Sequence, residues 1–122
     1  MKRYVFNVDP VGAVRMVRSD KWKRRPAVMR YWYYRDCLRA EAARLKFESV
    51  NDMEFKFYLP MPASWSGKKK DRMINKRHEQ KPDFDNLVKG FFDALMDEDC
   101  KISGVSGIYK FWGKTGKIEV LI

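Results

Sequence analysis

One short segment constrains this chain more than any other: Lys81-Pro82-Asp83-Phe84-Asp85-Asn86-Leu87-Val88-Lys89, followed ten residues after Lys89 by Asp99. It reads as the start of an amphipathic helix, which must bury one face and leave the other in solvent. The rest of the chain is strongly basic, at net charge +10, yet six carboxylates and a single basic residue lie between Pro82 and Asp99. A basic protein that gathers its carboxylates in one place has built either a metal site or a local salt-bridge surface.

At 122 residues, 45% of them hydrophobic and 15% aromatic, the chain is expected to form one globular domain over residues 1–122. It is not a disordered basic tail. The 26 Lys and Arg against 16 Asp and Glu point to a polyanionic partner, and nucleic acid fits better than a membrane. No run approaches the ~20 apolar residues of a spanning helix. The basic segments are not the polar face of an interfacial helix. The start, Met1-Lys2-Arg3-Tyr4-Val5-Phe6, carries no signal-peptide pattern. Cys37 and Cys100 lack metal-ligand spacing, so reduced thiols in a cytoplasmic protein are expected.

Tyr4-Val5-Phe6-Asn7-Val8 reads as a strand closed by Asp9-Pro10. From Val14 to Arg30 the chain is basic and irregular, with Arg15, Arg18, Lys21, Lys23, Arg24 and Arg25 around Trp22. Pro26 stands just ahead of a helix running from Tyr31 to Leu45. Met53 to Leu59 alternates apolar and polar residues as a half-buried strand does, and Pro60-Met61-Pro62 ends it. Ser64-Trp65-Ser66-Gly67 opens a second basic segment, Lys68 to Lys81, partly helical about Met73-Ile74. A second clear helix runs from about Asp83 to Met96. Ile108 to Trp112 and Ile118 to Ile122 are expected to form a terminal hairpin, turning at Gly113-Lys114-Thr115-Gly116. The whole is an α+β fold, with a mostly antiparallel or mixed sheet and two main helices packed on it.

At 100° per residue, Phe84, Leu87, Val88, Phe91 and Leu95 share one arc of the second helix. Asp85, Lys89 and Asp93 lie opposite, at i, i+4 and i+8. Burying the apolar arc therefore presents Asp85 and Lys89 together on an exposed face. Two readings compete. In one, Asp83 caps the helix and Asp85 pairs with Lys89, so the charges are purely structural. In the other, Asp83, Asp85 and Asp99 supply the few carboxylate oxygens that Mg²⁺ takes along with water. Lys89 is then a point charge for a phosphate oxygen. Carboxylates gathered in a chain of net charge +10, with one from a separate segment, favour the metal.

These residues also carry a resemblance. The segment Lys81 to Lys89, continuing through Phe92-Asp93-Ala94-Leu95 and Glu98-Asp99-Cys100-Lys101-Ile102, resembles the RusA family of Holliday junction resolvases. That family's signature is a D-x-D-N-L-x-K helix start, a D-A-L helix end and a later acidic pair followed by x-Q-[VI]. The likeness extends more weakly to the first strand, to Lys21-Trp22-Lys23-Arg24-Arg25-Pro26 and to Ser64-Trp65-Ser66. It implies a homodimer that binds four-way DNA junctions and nicks two opposing strands with Mg²⁺ or Mn²⁺, in recombination and repair. No organic cofactor is implied, and such proteins are common in prophages. By the same resemblance Asp83 and Asp85 are metal ligands, Asp99 is the later catalytic aspartate and Lys89 is the essential lysine. The connection from Leu95 to Glu98 is short, which leaves Asp97 as an alternative to Asp99. Lys101 stands where the family commonly has Gln.

The two basic runs are the expected phosphate contacts: Lys21, Lys23, Arg24 and Arg25 in the first, Lys68, Lys69, Lys70, Arg72 and Arg77 in the second. No base-reading module is evident, so recognition of shape is expected. Trp22 is a candidate wedge, whereas Trp32, Tyr33 and Tyr34 suit a core or a dimer interface. His78, the single histidine, is expected to be solvated or phosphate-facing. A non-catalytic nucleic-acid-binding protein and a nuclease acting on forks or flaps are the alternatives.

Overall fold

The structure, a computed structural model, describes residues 2–15, 17, 25–96 and 101–122. In chain order its elements are β1 (Arg3–Phe6), α1 (Pro26–Leu45), β2 (Glu54–Pro60), α2 (Gly67–Met73), α3 (Phe84–Leu95), β3 (Gly107–Gly113) and β4 (Lys117–Leu121). This is the expected α+β class. Pro26 occupies the first turn of α1, where its missing N–H costs nothing. Lys46 ends that helix in the left-handed region at φ 53°.

The four strands form one mixed sheet in the order β1-β4-β2-β3. The expected terminal hairpin is absent. β3 and β4 do not pair; β2 lies between them, parallel to β3 and antiparallel to β4. The physical reason is burial. β2 hides Phe55, Phe57 and Leu59 at alternate positions, and a strand of that pattern gains most at the centre of a sheet. Residues 114–116 need only cross two strand spacings, about 10 Å, within reach of an extended link at about 3.5 Å per residue. Pro60, with no N–H to extend a ladder, is the last residue of β2, so the crossing passes its end.

One face of the sheet carries the core. Val28, Tyr31, Tyr34 and Leu38 of α1 are buried, as are Leu87, Gly90, Phe91, Phe92 and Ala94 of α3. Phe91 is the hub: its ring meets Phe55 at 5.1 Å and Phe6 at 5.5 Å, both edge-on, a favoured arrangement for aromatic pairs. The other face is half-buried. There Tyr58 stacks on Phe111, Lys117 lies over Tyr58, and Arg77 lies over Tyr109 and Phe111.

The outer edge of β3 is also covered. Asn75 and His78 donate their backbone N–H to Trp112 and Lys110, Trp112 returns one to Lys76, and Arg77 bridges Phe111. This short antiparallel segment protects an otherwise open edge and delivers the chain to Lys81 and Asp83. No helix among the described residues is long and apolar enough to cross a membrane.

Candidate active site

Asp83 is the N-cap of α3, yet its carboxylate makes no capping bond. An N-cap Asp ordinarily spends that group on a free backbone N–H. Here the backbone carbonyl of Asp83 accepts from Leu87, while among the described residues its exposed carboxylate accepts only from Lys81 Nζ at 3.0 Å. Asp85, in the first turn and exposed, accepts the Asn86 N–H at 2.9 Å. Among the described residues no cation pairs with Asp85. Lys89 pairs with Asp93 at 3.7 Å instead of with Asp85, so the purely structural reading of this cluster loses both its cap and its expected pair.

Lys110 of β3 positions the turn before Asp83. Its register opposite Phe57 turns it to the helix-bearing face, and its Nζ donates to Gln80 O at 2.6 Å and to Pro82 O at 2.8 Å. Partial burial lowers the pKa of this lysine, and the nearby Asp83 carboxylate opposes that shift. The sequence signal was a lone lysine at an inward position of Ile108-Tyr109-Lys110-Phe111-Trp112; it was missed.

The remaining motif residues hold the helix in place. Asn86 O accepts the Ala13 N–H at 3.1 Å, and Asn86 Nδ2 donates to Ala13 O at 3.3 Å. One turn on, Gly90 lets the backbone of residues 11–13 pass closely; a Cβ there would stand 2.9 Å from both Val11 O and Ala13 N. Tyr31 of α1 donates its hydroxyl to Gly90 O at 2.9 Å. The chain leading into the first basic run is thus fastened to the helix that carries Asp85.

Two expectations are corrected. Phe84 does not join the buried arc; it is 54% exposed. The buried residues of α3 begin at Leu87, so the first turn lies outside the packed stretch. His78 is neither solvated nor phosphate-facing; it is 5% exposed and its ring lies 4.2 Å from that of Trp112. Trp112 in turn packs against Trp65 at 4.8 Å. Burial, with Lys110 nearby, lowers the His78 pKa below its ordinary value.

Asp83 lines a cleft of about 750 Å³ with Asn86, Lys81, Arg30, His78 and Trp112. Of the second basic run, Lys68, Lys69, Lys70 and Arg72 lie on α2, which Ser66 caps by accepting the Lys69 N–H at 3.2 Å. Lys69 rests over Trp65 at 4.2 Å, and Arg77 is held over Tyr109 at 4.9 Å. Of the first run, Arg25 donates to Arg15 O at 3.1 Å. Lys21, Trp22, Lys23 and Arg24 lie outside the described residues, as do Asp97, Asp99 and Cys100.

Among the described residues no three His, Cys, Asp or Glu side chains are grouped to hold a metal ion. The described part contributes two exposed carboxylates: Asp83, which makes no capping bond, and Asp85, which accepts the Asn86 N–H through one oxygen. Oxygen donors with water access are the set a hard divalent cation takes, so these residues fit one.

The chain is 38% identical over 78 residues to the uncharacterized protein YqaN of Bacillus subtilis (strain 168). That stretch is 57% of this chain and 54% of YqaN, so the chain spans about half the length of the curated relative it matches. The family model for endodeoxyribonuclease RusA matches residues 8–122, which take in α1 to α3, β2 to β4 and both candidate aspartates. The chain belongs to the RusA family of endodeoxyribonucleases.

Proposed function

We propose that residues 1–122 form one endonuclease domain that nicks four-way DNA junctions, in a divalent-metal-dependent reaction whose paired cuts resolve the junction. The observation that carries this reading is the Asp83 carboxylate, left free of the helix it caps and set beside a cleft. Asp83 and Asp85 would hold Mg²⁺ or Mn²⁺ together with Asp99, or with Asp97 in its place. Such an ion supplies Lewis-acid activation of water and of the scissile phosphate.

The chain's own groups do the rest. Lys89 is exposed and only loosely paired with Asp93, so its ammonium is available to charge building on the phosphoryl oxygens. Lys110 holds the Gln80 and Pro82 carbonyls and with them the position of Asp83. The basic residues of α2, Arg77, Arg25 and the run Lys21, Lys23 and Arg24 bind DNA phosphates without reading sequence. A two-fold homodimer with one site per subunit matches the two scissile strands of a junction.

End-labelled four-way junctions, forks, flaps and duplexes, incubated with and without Mg²⁺, test the proposal. Symmetric nicks confined to junctions and dependent on the metal are expected. Metal-independent binding without cleavage would assign a non-catalytic DNA-binding role, and preferential cutting of forks or flaps would replace the substrate.

A further inference from the structure

The exposed ring of Phe84 is unexplained by packing or by carboxylate chemistry. Phe84 is 54% exposed and so forgoes part of the gain of burying an aromatic ring, and it stands between the two candidate metal ligands. It makes no ring contact with another described aromatic residue. It borders a cleft of about 370 Å³ whose other walls include Arg77, Ile108, Tyr109 and Lys110. Arg77 is stacked over Tyr109 at 4.9 Å and over Phe111 at 5.4 Å. Phe84 is thus an exposed ring bordering a cleft that is also lined by Arg77, a cation already held over aromatic rings.

We propose that Phe84 and the cleft beside it bind one unpaired nucleobase of the DNA, stacked on the Phe84 ring next to the scissile phosphate. The inference rests on the nuclease reading above. Three observations favour a base over an apolar protein segment. The cleft, which Glu79 also borders, is lined by Arg77, whose guanidinium suits a phosphate flanking a nucleotide. Aromatic rings accept any base by stacking, with cations such as Arg77 contributing. Phe84 lies between Asp83 and Asp85 in sequence, so a base held there belongs to a nucleotide at or adjoining the cut. An unpaired base is most available at a branch point, where stacking is already interrupted, so the cleft would favour branched DNA over duplex.

The test uses four-way junctions carrying 2-aminopurine at successive positions around the branch, bound without divalent ions by wild-type protein, Phe84→Ala and Phe84→Trp. Size-exclusion mass and nicking with Mg²⁺ are measured on the same preparations. Wild-type binding is expected to change the fluorescence at one branch position. Phe84→Ala should lose that change and bind about tenfold more weakly, while Phe84→Trp keeps it. An unchanged signal in Phe84→Ala, with wild-type binding and nicking intact, overturns the base site alone. A smaller oligomer in Phe84→Ala also overturns it, by making Phe84 a subunit contact. Failure of the wild-type protein to bind or cut junctions overturns the nuclease reading and the base site with it.

Discussion

Lys110 Nζ donates to the carbonyl of Pro82 at 2.8 Å, one residue before the candidate ligand Asp83. A strand on the far side of the turn therefore sets where the carboxylate stands. Lys110→Met removes the donor and keeps most of the stem. Nicking of a four-way junction is expected to fall about ten- to a hundredfold, the scale of a small misplacement at a reacting centre. Junction affinity should stay near wild type. A fall in affinity with an unchanged turnover rate would instead make Lys110 a phosphate contact.

At Gly90 α3 and the segment of residues 11–13 pass so closely that an added Cβ would meet backbone atoms. Gly90→Ala must push that segment away or shift the helix. A loss of about 1–3 kcal/mol in unfolding free energy by urea titration is expected, the usual range for overpacking. A loss below about 0.5 kcal/mol would mean that the segment yields freely.

Stability should also respond to pH through His78. Its pKa in the folded protein is lowered, first by burial and then by Lys110, from an ordinary value of 6.5. The unfolded chain therefore takes up the proton first. The associated stability is complete above about pH 6.5 and is lost as the pH falls through the lower folded value. Among the described residues His78 Nδ1 has no hydrogen-bond partner, so His78→Phe removes the titration while keeping a ring against Trp112. Between about pH 7.5 and pH 5.5 the urea midpoint of the wild type should fall more than that of the variant. Glu119 does not confuse the comparison. Burial raises its pKa, but Arg3 and Lys117 more than offset this and leave it lowered from 4.5, so its contribution is lost below this window.

The start of α3 was legible because its information is local. Asp83, Asp85 and Lys89 follow from helical periodicity, and Asp83 does take the N-cap position. Which bonds those side chains make was not legible. Capping by Asp83 and an Asp85–Lys89 pair are the default local choices, and the structure uses neither. The pairing of β3 and β4 was misread because hairpin reasoning uses only the residues on either side of the turn. The competitor, β2, enters from more than fifty residues earlier than β3, and its Phe55, Phe57 and Leu59 take the centre. His78 looked solvated in a charged run for a similar reason: Trp112, which covers it, arrives from a distant strand. Lys110 and Gly90 act through backbone atoms of other segments, which no spacing within their own elements reveals.

The central claim is that Asp83 and Asp85 serve chemistry rather than helix stability. It is tested most directly by measuring nicking and binding of a labelled four-way junction by Asp83→Asn and Asp85→Asn in Mg²⁺. Each variant is expected to lose at least about a hundredfold in cleavage rate, the scale of removing one electrostatic element from a reacting site. Each should bind the junction as tightly as the wild type or more tightly, since a negative charge near DNA is gone. Nicking at the wild-type rate by either variant would contradict the account.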